Sequence, residues 1–114
     1  MNGGVKISLS RHASMDYERI SLYLLEDLYQ PQAEEQFSKS IDRLFLNLAV
    51  FPKLGSVYKS EKWLSRSYRK VNFGKYMAFY VYDEDRGSIE VHRILSGLSD
   101  YPTIIKDATP SYEV

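Results

Sequence analysis

Tyr68-Arg-Lys-Val-Asn-Phe73, Gly74-Lys75 and Tyr76-Met-Ala-Phe-Tyr-Val-Tyr82 decide the fold of this chain. Aromatic and β-branched residues crowd both flanks, and such side chains suit a pleated, half-buried surface, so each flank reads as a strand. The glycine–lysine pair between them is a tight turn that joins the two into a hairpin. Asp83-Glu-Asp-Arg-Gly87 reads as the next turn, and Ser88 to Leu95 as the third strand of a meander that Gly97 ends. The strand Tyr76 to Tyr82 is apolar on both faces: Tyr76, Ala78, Tyr80 and Tyr82 on one, Met77, Phe79 and Val81 on the other. A small sheet with helices on one face has a polar second face. The surplus therefore predicts a cover, either the chain's own C-terminus or a partner.

Upstream of the meander the period changes. Val5-Lys-Ile-Ser-Leu9 alternates apolar and polar as a half-buried strand does. Ser14 then reads as a helix cap, with Asp16 and Glu18 in the first turn, where negative charge suits the helix dipole. Ile20, Leu24 and Leu28 fall on one stripe of that helix, with Tyr17 and Tyr23 beside it. Pro31 breaks it and is placed to open a second helix at its first turn. Ala33, Phe37, Ile41, Leu44 and Leu48 mark the core stripe of that helix, which ends near Phe51-Pro52. Helices joined so tightly form an antiparallel hairpin. Residues 53–66 show no period and read as a loop. Tyr101 to Lys106 closes the domain as a short helix or an added strand, and the tail from Asp107 reads as loosely ordered.

The order β-α-α-β-β-β predicts an α+β protein. An N-terminal strand and an antiparallel two-helix hairpin pack on one face of a mainly antiparallel four-stranded sheet, with a short C-terminal segment. With 114 residues this is one domain, expected over 1–106, with 107–114 as tail. Apolar residues are 44% and charged residues 26%, an ordinary globular balance. The chain has no cysteine, which excludes disulfides and thiolate catalysis. Its two histidines are too few for a histidine-rich metal site, and no metal or cofactor is expected. No apolar run approaches the ~20 residues of a membrane helix, and the N-terminus has no signal-peptide core. A cytoplasmic protein with no membrane partner is the expectation.

Net charge is zero, but its distribution is uneven. Residues 13–50 hold seven acids against Arg19, Lys39 and Arg43. Residues 53–76 hold seven bases (Lys53, Lys59, Lys62, Arg66, Arg69, Lys70 and Lys75) against Glu61 alone, and residues 77–114 are acidic again. The change of sign is either a localised basic surface or a solvated basic loop balancing acidic helices.

Ala13-x-x-Asp16-Tyr17-x-x-Ile20-x-x-Tyr23 resembles the first-helix signature of the RelE/ParE superfamily of type II toxins. Ala33-x3-Phe37-x3-Ile41 and Leu48-x3-Pro52-x2-Gly55 resemble its second helix and exit. Arg69, Gly74-Lys75-Tyr76 and Phe79-Tyr80 are similar to its central hairpin, and Val91-His-Arg-Ile-Leu-Ser-Gly97 to its last strand. The resemblance implies a toxin held inactive by a cognate antitoxin. It implies one of two targets: DNA gyrase, as for ParE-like members, or the ribosome and its mRNA, which RelE-like members cut without a metal. In the latter, arginines and lysines stabilise the charge that develops on phosphate. Here Met77 stands where that pattern has an arginine, and Leu98-Ser99 where it often has a basic pair. The departures favour the gyrase branch; an mRNA endoribonuclease and an inactive antitoxin-binding relic are the alternatives.

The candidate functional cations are Arg69, Lys70, Lys75 and Arg93. The two arginines fall on strands, where the competing reading is a structural ion pair with Glu90 or Asp100. The lysines flank the hairpin turn, where solvated lysine is ordinary. His92 reads as a structural residue or a general base. Met77, Phe79, Val81 and Trp63 are the expected partner-binding residues. They would receive apolar anchors from a partner segment whose acids answer the basic stretch. Tyr76, Tyr80 and Tyr82 read as core, and Asp83-Glu84-Asp85 as a turn.

Overall fold

The computed structural model describes residues 4–58 and 68–97. Strand β1 (Lys6–Leu9) leads through Ser10 into helix α1 (Arg11–Leu22), which continues as a π-helical turn over Tyr23–Asp27. Helix α2 (Pro31–Val50) follows, then β2 (Ser56–Tyr58), β3 (Tyr68–Phe73), β4 (Tyr76–Asp83) and β5 (Ser88–Ser96). The sheet order is β1-β5-β4-β3-β2, with β1 parallel to β5 and every other pair antiparallel. The expected α+β order is the observed one. The sheet gains a fifth strand, β2, inside the stretch read as loop; three residues are too few to show an alternation. Trp63, the closing element and the tail lie outside the described residues. Among the described residues no helix is long and apolar enough to cross a membrane.

Helix α1 begins four residues earlier than its sequence suggests. Ser10, not Ser14, is the cap: its Oγ accepts the Ala13 amide at 3.1 Å and donates to the His92 carbonyl at 3.0 Å. One hydroxyl thus closes a helix start and holds it to β5, which Ser14 is not placed to do. Asp16 consequently lies beyond the first turn and is buried. Leu28 also departs from its expected stripe and is 40% exposed. The π-helical turn explains this: the Leu28 amide bonds the Tyr23 carbonyl five residues back, and that wider turn rotates Leu28 away from Leu24's face.

Helix α2 follows its sequence closely. Pro31 occupies its start, where the missing N–H is harmless. Phe37, Ile41, Leu44 and Leu48 are buried, at 4% exposure or less. Tyr17 Oη meets Ser38 Oγ at 2.8 Å, and Ser21 Oγ donates to Glu34 at 2.7 Å, so rising numbers on α1 meet falling numbers on α2. The hairpin is antiparallel, as expected. The rings of Tyr17, Phe37 and Tyr76 then stack in series, with centroids 5.2 and 4.8 Å apart, and dock the hairpin on β4.

A β-bulge shapes β5. Phe79 pairs with Arg93 but Tyr80 pairs with Val91, which leaves His92 as the extra residue. The bulge shifts the alternation by one, so Ile89, Val91 and Ile94 all join the core beneath the helices. Leu95 instead joins Tyr68, Met77 and Phe79 in a second apolar cluster, with Tyr58 and Val81 packed against it. Met77 and Phe79, expected to await a partner, are 5% and 0% exposed within this chain. Gly74 makes the β3–β4 turn at φ 59°, a conformation that favours glycine.

Candidate functional site

Arg93 is the first candidate cation that the fold explains. Its Nε and Nη2 donate to the two oxygens of Asp16, each at 2.7 Å, in a side-by-side guanidinium–carboxylate pair. Asp16 Oδ2 also accepts the Ile94 amide at 3.0 Å, and Oδ1 accepts Arg19 Nη1 at 3.3 Å. The side chains of Arg93 and Asp16 are only 12% and 2% exposed. The partner is Asp16 and not the expected Glu90, and Asp100 lies outside the described residues. Pairing of β1 with β5 stops at Leu9 and Val91, so beyond that point the Ile94 amide has no strand partner on that edge. The carboxylate from α1 replaces the missing strand.

Arg69 has a comparable duty on the other side of the sheet. Its Nη1 donates to the Gly55 carbonyl at 2.6 Å and reaches the Lys53 carbonyl at 3.5 Å. Tyr80 Oη accepts the Gly55 amide at 2.8 Å and donates to the Pro52 carbonyl at 2.9 Å. Arginine and tyrosine together fasten the exit of α2 to the sheet. The fit requires glycine at 55, where a Cβ would stand 2.7 Å from the Lys70 carbonyl oxygen. Burial pushes the Tyr80 phenol above its ordinary 10.0, while the Gly55 amide and the Arg69 charge pull it down. It remains a neutral donor.

Lys70 and Lys75 remain. They line an open groove with Asn72, Tyr76, Met77 and Ser96. The Tyr76 phenol is raised from 10.0 by burial and is likewise a neutral donor. Two ammonium groups, an amide, a hydroxyl and a phenol can receive an anion, and a phosphate is a suitable one. Among the described residues, those lining this groove include no aspartate, glutamate or histidine that would take a proton. His92 lies elsewhere, held between Glu90 Oε1 at 2.7 Å from Nε2 and Tyr68 Oη at 3.0 Å from Nδ1. Its side chain is 11% exposed. Val81, the third expected anchor, is partly exposed.

The structure therefore separates what the sequence grouped. Arg69 and Arg93 serve the scaffold from opposite parts of the sheet, and only the two lysines share a groove. Asp16 and Tyr80 are the residues whose importance spacing alone did not reveal. Asp16 carried a signal in its place between Ala13 and Tyr17, both of which also face the core.

A five-stranded mixed sheet with one helical hairpin is also the fold of solved proteins from toxin–antitoxin systems. The chromosomal ParDE toxin–antitoxin system of P. aeruginosa contains a chain similar to this one, with TM-score 0.62 and 16% identity, over 83% of this chain and 98% of that one. The toxin–antitoxin complex RelBE2 of Mycobacterium tuberculosis contains another, with TM-score 0.59 and 12% identity, over 84% and 94%. No curated protein matches the sequence. Residues 7–101 match the family described as ParE toxin of type II toxin–antitoxin system, parDE, and the chain belongs to that family. It is a toxin of the RelE/ParE superfamily.

Proposed function

We propose that this toxin is neutralised by a cognate antitoxin and acts by binding and poisoning DNA gyrase. The observation that carries the reading is the inward commitment of Arg69 and Arg93. A metal-free ribonuclease needs several cations on the reacting phosphate. With both arginines engaged by the scaffold and Met77 in place of a third, two lysines with no proton acceptor beside them among the described residues are a weak phosphodiesterase site. Binding to a protein target has no such requirement.

Both solved relatives come from systems with an antitoxin, which supports a cognate antitoxin here. The basic stretch from Lys53 to Lys75 suits an acidic partner segment. Because Met77 and Phe79 are buried within the chain, the contact falls on groups around them, the partly exposed Val81 included.

Purified toxin added to gyrase and relaxed plasmid should block supercoiling at near-equimolar ratio. Gyrase left active by a toxin that halts translation in a cell-free extract contradicts the reading. The groove of Lys70 and Lys75 favours one second reading, a ribosome-dependent mRNA endoribonuclease. Its signature is codon-phased cuts in primer extension on translated mRNA, lost on Lys70→Ala and Lys75→Ala.

A further inference from the structure

The tip of the helical hairpin, Leu22-Tyr-Leu-Leu-Glu-Asp-Leu-Tyr29, has six apolar residues in eight, yet Leu24 alone is buried. Exposure of the others runs from 39% at Leu25 to 81% at Tyr29. An apolar surface so concentrated marks an interaction site more often than an accident of composition.

Two backbone irregularities fall on the same segment. The π-helical turn covers Tyr23–Asp27, and such turns recur where function displaces regular structure. Tyr29 has φ 53°, the only non-glycine residue with positive φ among the described residues. The bond from the Gln30 amide to the Leu24 carbonyl, 2.8 Å, closes the helix end around it. Glycine ordinarily takes that left-handed position. A tyrosine there is strained, and a ring 81% exposed gains little packing in return.

Charge indicates the occupant. Glu26 and Asp27 are exposed on the tip itself, and Lys75 lies at its foot, where it lines a pocket with Tyr23, Leu24 and Leu28. The outermost charges of the tip are therefore the carboxylates of Glu26 and Asp27, which suit a cationic partner surface. A protein that handles DNA presents cationic surface where it grips the duplex. We propose that the hairpin tip is the target-engaging surface of this toxin, entering an apolar, cation-rimmed cleft on the DNA-facing side of gyrase. The inference rests on the gyrase reading and adds the place of contact.

The test is gyrase supercoiling of relaxed plasmid with the full-length toxin and two variants, one Leu25→Ser, Leu28→Ser, Tyr29→Gly, the other Glu26→Lys, Asp27→Lys. All five positions are exposed, so neither variant should melt below the wild type by circular dichroism. The apolar triple variant should need about 30-fold more protein for half-inhibition, as loss of an interface centre does. The charge reversal should need about 10-fold more, and added salt should narrow the gap. If the triple variant melts early, the charge reversal decides on the same criterion. Wild-type inhibition matched by both folded variants overturns the tip and leaves the gyrase reading standing. A wild type inert toward gyrase overturns that reading and the tip with it.

Discussion

At Asp16 one carboxylate, 2% exposed, gathers Arg93, Arg19 and the Ile94 amide. Further along the same hairpin, Leu25, Leu28 and Tyr29 stand in solvent. The two regions invert the usual arrangement of polar outside and apolar inside. At Asp16 the sheet has lost a strand partner, and a charged side chain supplies hydrogen bonds that backbone cannot. At the tip a widened turn carries apolar groups off the core stripe. Arg69 and Arg93 are here part of the scaffold, while the tip, proposed above as the target surface, is apolar and acidic.

The largest expected effect concerns the sheet. Phe79 is 0% exposed and meets the Tyr58 ring edge-on at 5.3 Å. Phe79→Asp should unfold the isolated toxin, costing more than about 4 kcal/mol, as a buried unpaired charge does. Retained near-native circular dichroism would show that this face is open to a partner after all. Next comes Asp16→Ala, which leaves Arg93 buried without its carboxylate and should cost about 3–5 kcal/mol in urea denaturation. A loss under about 1 kcal/mol would move Asp16 from the scaffold to the solvated surface, where ion pairs contribute little.

Tyr80→Phe should cost about 1–3 kcal/mol, because the Gly55 amide and Pro52 carbonyl lose their shared partner. The same residue sets an alkaline limit. Burial holds its phenol neutral past 10.0, so the folded chain keeps a proton that the unfolded chain releases. Its contribution is complete below pH 10 and is lost as pH rises through the higher folded value. Urea midpoints across that range should fall for wild type and fall less for Tyr80→Phe. The smallest effect has the opposite sign. Tyr29→Gly relieves the left-handed strain and should stabilise by up to about 1 kcal/mol while weakening toxicity. Destabilisation by this change would mean that the ring packs on its own chain.

Elements with a sustained period were readable in the sequence. The stripe Phe37, Ile41, Leu44, Leu48 is buried as its spacing demands, and the hairpin turn at Gly74-Lys75 joins the strands expected. β2 was not readable, since three residues give no alternation. Leu28 misled because a π-helical turn changes the angular step without changing composition. The bond of Asp16 to Arg93 spans 77 residues, and local pattern carries no trace of such a pairing. Arg69 likewise depends on carbonyls of a loop whose path composition does not specify. The candidate cations were therefore identifiable as special positions, while their duties required the fold.

The most direct measurement is growth after induced expression of the toxin and of its Lys70→Ala, Lys75→Ala variant, without antitoxin. These lysines are the two candidate cations that share a groove. A toxin acting through its protein-binding surface keeps its effect when they are removed, and the variant should arrest growth as the wild type does. Normal growth with the folded variant accumulated to wild-type level would contradict this and return the lysine groove to the centre of the mechanism.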